Sequence, residues 1–143
     1  MTPNERDQGR AREHHILVAD DEPHIGRIIK MKLEQGPFRV SIAEDGEAAL
    51  REIRAHDDLE LVVLDLMMPG MSGMDVLEKL REEGRIEKLP TIVLTALGEE
   101  EQQHRARSLG AREFLTKPFS PKKLYTLIAE CVGEEAGHQE GAG

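Results

Sequence analysis

The chain has no tryptophan, one tyrosine and three phenylalanines. That scarcity excludes the usual base-stacking surface of exposed aromatic rings. It has one cysteine, Cys131, so neither an intrachain disulfide nor a cysteine zinc site can form. Such sparing cysteine usage fits a reducing compartment, and Cys131 reads as a packing residue rather than a nucleophile. No stretch approaches the roughly 20 apolar residues of a membrane span. The opening "MTPNERDQGRAREHH" lacks the apolar run of a signal peptide, so the expected location is the cytoplasm. Positive charge is also short. The net charge of −9 argues against nonspecific binding to nucleic acid or anionic membranes.

What is present suits one globular domain. The 143 residues are 38% hydrophobic, enough to build a core. Residues 1–14 are polar and are expected to be a flexible segment, as is the acidic, glycine-rich tail 133–143; the ordered domain is expected over 15–132. Between these ends the chain alternates in type. "HILVA" (15–19) is a short apolar run ending at Asp20-Asp21, and Ile25, Ile28, Ile29 and Leu33 then recur at helical spacing until Gly36-Pro37. "FRVSIA" (38–43) alternates as a half-buried strand, "DGEAALREIRA" (45–55) reads as a helix capped by Asp45, and "LELVVLD" (59–65) is a third strand. Met74, Leu77 and Leu80 mark a third helix, for which Ser72 is the natural cap, and "PTIVLTA" (90–96) is a fourth strand. Residues 98–109 form an unusually polar fourth helix with Ala106 and Leu109 as its apolar anchors. "REFLT" (112–116) is a short fifth strand, and Leu124, Leu127, Ile128 and Cys131 mark a last helix.

Five β-α units with near-continuous aliphatic strands predict an α/β fold: a doubly wound, flavodoxin-like, five-stranded parallel sheet in three layers. The expected order is 2-1-3-4-5, with a crevice outside the carboxyl ends of strands 1 and 3.

Polar residues collect at those ends. Asp20 and Asp21 close strand 1, Asp65 closes strand 3, Thr95 closes strand 4, and Lys117, followed by Pro118, closes strand 5. Singly, each has a structural explanation: Asp21 as a helix cap, Thr95 as a strand-end hydroxyl, Lys117 as a solvated surface group. Together they converge on the rim where this architecture binds ligands. Three carboxylates on one rim repel unless a cation sits among them or some are protonated, and hard oxygen ligands without His or Cys suit Mg²⁺. Aspartate can attack phosphorus to give an acyl phosphate, with metal and lysine neutralising the phosphoryl charge.

"ILVADDEP", "VVLDLMMPGMSG", "TIVLTA" and "FLTKPF" resemble, in order and spacing, the four signatures of the receiver domain of two-component response regulators. The likeness runs from about His15 to Val132. It implies Asp65 as phosphoacceptor and Asp20 and Asp21 as the acidic pair holding Mg²⁺, with the Met67 backbone carbonyl as a further ligand. It also implies Lys117 as the signature lysine, Thr95 as the switch hydroxyl, Phe114 as the aromatic that turns inward on activation, and a cis Lys117–Pro118 bond. The expected partners are a sensor histidine kinase or phosphotransfer protein upstream and a protein downstream, with no direct nucleic-acid or membrane contact; a phosphorylation-dependent dimer stays open. The chemistry expected is self-phosphorylation and slow autodephosphorylation, not turnover of a substrate.

Two other functional classes share part of this residue set. A haloacid-dehalogenase-type phosphatase resembles Asp-x-Asp, whereas the residue two past Asp65 is Met67. A phosphorylation-independent interaction module, or a flavodoxin-like cofactor binder, does not need the complete set of acids, Thr95 and Lys117. His14 and His15 are placed before strand 1, and His24, His56, His104 and His138 at surface positions; none has a metal-ligand spacing. The 11 residues after Val132 are too few for a DNA-binding or catalytic module. The expectation is therefore a stand-alone receiver, or a receiver taken from a larger regulator.

Overall fold

The computed structural model describes residues 13–133. The flexible termini expected from sequence, apart from Glu13, His14 and Gly133, and with them His138, lie outside the described residues. Five strands form one parallel sheet: β1 (His14–Ala19), β2 (Phe38–Ala43), β3 (Leu59–Asp65), β4 (Thr91–Thr95) and β5 (Glu113–Thr116). Their order is β2-β1-β3-β4-β5. Five helices connect and follow them: α1 (Pro23–Leu33), α2 (Gly46–Ala55), α3 (Gly73–Glu82), α4 (Glu100–Ser108) and α5 (Pro121–Val132).

The sheet divides two apolar layers. Ile16 and Val18 of β1, Leu61 and Val63 of β3, and Ile92 and Leu94 of β4 pack with Ile29 and Leu33 of α1 and Leu124 and Ile128 of α5. The alternate residues Leu17, Ala19, Val62, Leu64 and Val93 face Leu50 and Ile53 of α2, Leu77 and Leu80 of α3, and Ala106 of α4. Side chains alternate along a strand, so a strand covered on both faces must be apolar at every position. This explains the uninterrupted aliphatic runs of β1, β3 and β4.

Helix starts follow local chemistry. Asp45 Oδ1 accepts the Ala48 N–H at 2.7 Å. Ser72 and Asp75 form a reciprocal capping box at α3, and Ser120 caps α5. α1 has Pro23 in its first turn and no side-chain cap; Asp21, which sequence offered as one, does not serve. α4 buries Ala106 alone, with Leu109 half-buried just past its end.

The two histidines placed before strand 1 are instead part of it. His14 lies in β1, with Nδ1 at 2.8 Å from Glu60 Oε1. His15 is only 2% exposed. Its Nδ1 lies 3.1 Å from Asp58 Oδ1, and its Nε2 lies 2.7 Å from Ser41 Oγ. A carboxylate only accepts, so Nδ1 donates and, in the neutral ring, Nε2 accepts from the Ser41 hydroxyl. These partners satisfy a buried ring, which is why a polar residue can join an apolar strand.

The turn after β3 is tightly packed. A Cβ on Gly73 would meet the Asp65 carbonyl oxygen at 2.2 Å and Leu66 Cα at 2.8 Å. One on Gly46 would meet the Met71 carbonyl oxygen at 2.3 Å. Both obstacles are backbone, so only glycine lets α2 and α3 begin this close to the loop that carries Asp65. Gly73→Ala should therefore cost about 1–3 kcal/mol by overpacking, read as a lower urea midpoint. An unchanged midpoint would show that the loop relaxes freely.

Candidate functional site

The chain runs from β1 outward to β2, then returns to start β3 on the other side. The strand order reverses there, leaving a crevice at the carboxyl ends of β1 and β3. Asp20 continues the alternation of Ile16 and Val18, Asp65 that of Leu61 and Val63, and Lys117 that of Leu115. Strand periodicity thus brings three charged groups from three segments to one mouth.

The three meet. Lys117 Nζ donates to Asp65 Oδ2 at 3.0 Å and lies 3.0 Å from Asp20 Oδ2. It also donates to Glu22 Oε1 at 3.2 Å. Carboxylate oxygens of Asp20, Asp21 and Asp65 all lie within 4.8 Å of one another. Asp20 is fully buried and Asp65 is 5% exposed, while Asp21 is half-buried. Two backbone groups fix the acids: the Glu22 N–H donates to Asp20 Oδ1 at 2.9 Å and the Met67 N–H to Asp65 Oδ1 at 3.0 Å. The Lys117–Pro118 peptide is cis.

One ammonium among this many carboxylates leaves the site short of positive charge. Burial pushes the Asp65 carboxyl up from its ordinary value, and the charge of Asp20 adds to this against the opposing Met67 N–H and Lys117. Burial pulls the Lys117 ammonium down, but hydrogen bonding to Asp65 and Asp20 outweighs it and holds the group above the ordinary lysine range. Asp20 Oδ2 is buried without a hydrogen bond of good geometry, although the ammonium is near. A buried carboxylate oxygen whose ammonium partner is shared with two other carboxylates, beside two further acids, fits a small hard cation, whose oxygen ligands these groups would supply. The structure thus brings Asp20, Asp21, Asp65 and Lys117, which the sequence singled out, to one place.

Thr95 and Phe114 belong to the opposite face. Thr95 closes β4 and is 4% exposed; its carbonyl accepts the Lys117 N–H at 2.7 Å. Phe114 of β5 pairs in register with Val93 and is half-buried against the α4-side layer. Met67 is 57% exposed and Leu97 is 83% exposed. Glu22 was missed as a site residue. It follows Asp20-Asp21 directly, but nothing local announces that a lysine 95 positions later returns to it. Cys131 packs half-buried beside the α1/α5 layer, and burial pushes its thiol up.

Among the described residues, no helix is long and apolar enough to cross a membrane. Among curated proteins, the chain is 39% identical over 113 residues to the phosphate regulon transcriptional regulatory protein PhoB of Escherichia coli K12, covering 79% of this chain and 49% of that protein. It is 40% identical over 113 residues to the response regulator GtcR of Aneurinibacillus migulanus, covering 79% and 45%. The chain thus spans about half the length of the curated relatives it matches. Among solved structures it is similar to the Francisella response regulator 1452 receiver domain, with a TM-score of 0.78 and 32% identity over 85% of this chain and 98% of that one. It is also similar to a response regulator receiver domain protein from Clostridium thermocellum, with a TM-score of 0.77 and 30% identity over 84% and 94%. The family model of the response regulator receiver domain matches residues 16–129. With its sheet order, its acidic crevice and this match over most of its length, the chain belongs to the response regulator receiver domain family.

Proposed function

We propose that Asp65 accepts a phosphoryl group from the phosphohistidine of a sensor kinase or phosphotransfer protein, with Mg²⁺ held by Asp20, Asp21, Asp65 and the Met67 carbonyl. The observation that carries this reading is the Lys117 ammonium bridging Asp65 and Asp20 at 3.0 Å in a crevice short of positive charge. In the transfer, an Asp65 carboxylate oxygen bonds to phosphorus as the phosphorus–imidazole nitrogen bond breaks, leaving neutral imidazole after proton uptake. Mg²⁺, when bound, supplies charge neutralisation for the moving phosphoryl group. Lys117 sits where it would neutralise an oxygen on Asp65, and the Met67 N–H fixes the other carboxylate oxygen for attack.

Phosphorylation adds about −1.5 to −2 charges and three acceptor oxygens. Thr95, at the end of the neighbouring strand, supplies the hydroxyl that moves to bond them. Phe114 on the same face fills the space vacated. The output surface is that of α4, β5 and α5, presented to a downstream protein in the cytoplasm. The protein is a regulator that undergoes self-phosphorylation and its slow reversal, without turnover of a free substrate.

Intact mass after incubation with a small acyl phosphate and Mg²⁺ should show a gain of one phosphoryl group in the wild type and none in Asp65→Asn. Equal gain by both proteins would sink the assignment. Mg²⁺ at ten times its dissociation constant should raise stability by about 1.4 kcal/mol, visible as a Tm increase of several degrees. Asp21→Asn should abolish that increase; retention of the full shift would remove Asp21 from the metal site. Met67 and Leu97, two residues past Asp65 and Thr95, are apolar and exposed, and in that position should hinder in-line attack by water. The phosphorylated form is therefore expected to last minutes or longer in Mg²⁺ without a phosphatase, and decay within seconds would contradict this.

A further inference from the structure

Helix α4 is attached mainly by polar contacts. Ala106 is its one buried residue. Arg105 pairs with Glu78 of α3. The Arg81 guanidinium of α3 donates to the Ser108 carbonyl at 3.1 Å. Exposed contacts of this kind contribute little each, so α4 is easily displaced. The remaining attachment differs in kind: the guanidinium carbon of Arg107 lies 4.7 Å from the centre of the Phe114 ring. Phe114 stands on the edge strand β5, half-buried, on the face it shares with Val93 and Thr95. Arg107 itself is exposed. It therefore lies against the ring from the solvent side of the sheet's edge.

We infer that Arg107 is a positioning residue for the switch: its guanidinium, stacked on Phe114, latches the aromatic outward and α4 in its resting place. The inference rests on the proposed function, in which Phe114 turns inward toward Thr95 on phosphorylation. That turn separates the ring from Arg107. A contact made only in the resting state stabilises that state, and it weakens by the same factor any ligand that requires the other. Phosphorylation must break the latch before α4 can move, so Arg107 sets how much activated form a given phosphoryl donor produces.

The test is calorimetric titration of the full chain with beryllofluoride, a phosphoryl mimic, in Mg²⁺. Arg107→Gln should bind it about 2- to 5-fold more tightly than wild type, the factor expected for an exposed cation–ring contact. Arg107→Lys should recover part of the wild-type value, since an ammonium also binds a ring face. In a Phe114→Leu background, Arg107→Gln should have no effect. Loss of a positive charge alone would weaken binding of an anion and would do so in either background, so the sign and the Phe114 dependence separate a latch from simple electrostatics. Unchanged or weaker binding by Arg107→Gln, or an equal effect with Leu at 114, overturns the latch while leaving phosphorylation at Asp65 intact. Failure of the wild type to bind beryllofluoride overturns the proposed function and the latch with it.

Discussion

A single ammonium, that of Lys117, is shared by three carboxylates: Asp65 and Asp20 at 3.0 Å and Glu22 at 3.2 Å. The arrangement at the mouth of the crevice depends on this imbalance. One positive charge cannot neutralise so many acids; burial pushes the Asp65 carboxyl up, the charge of Asp20 adds to this, and the buried Asp20 Oδ2 faces the shared ammonium without a hydrogen bond of good geometry. The site is organised around missing positive charge. A divalent cation suits such a site. The cost of holding acids together is met by the rigidity of the central strands, which are buried on both faces and cannot splay to separate them.

The sheet also separates two tasks. Alternation sends Asp20, Asp65 and Lys117 toward the α1 and α5 side, and Thr95 and Phe114 toward the α4 side. Thr95 closes the strand next to that of Asp65 and is buried on this second face. The second layer is the weaker one at that point. α3 and α2 are anchored by several buried aliphatics each, whereas α4 contributes Ala106 alone. Of these three helices α4 therefore has the least apolar surface holding it. Arg107 over Phe114 places the restraint on that element at the aromatic expected to move.

Much of this was legible in the residue order. Aliphatic runs ending in acids placed β1 and β3, and Ser72 and Asp45 were correct as helix caps because capping is a contact within one turn. The residues of the crevice were legible because a parallel sheet aligns its strand ends, so polar residues closing separate strands must be neighbours. Other features were not. His15 reads as a polar residue outside the strand, yet Ser41 and Asp58, on other segments, make its burial tolerable. Asp21 reads as a cap for α1, but Glu22 holds the N-cap position, with no side-chain cap, and Asp21 lies in the crevice.

By itself the sequence determined five β-α units, the layering that follows from their apolar periodicity, and which acids, hydroxyl and lysine close the strands. These depend on spacing along the chain, and spacing is local. The tertiary structure alone decided that Lys117 bridges Asp65 and Asp20 and also reaches Glu22, that His15 is buried, and that Arg107 lies across Phe114. Each joins segments distant in sequence, and each turns on the direction a side chain takes once its neighbours have closed around it. Periodicity along the chain does not specify that direction.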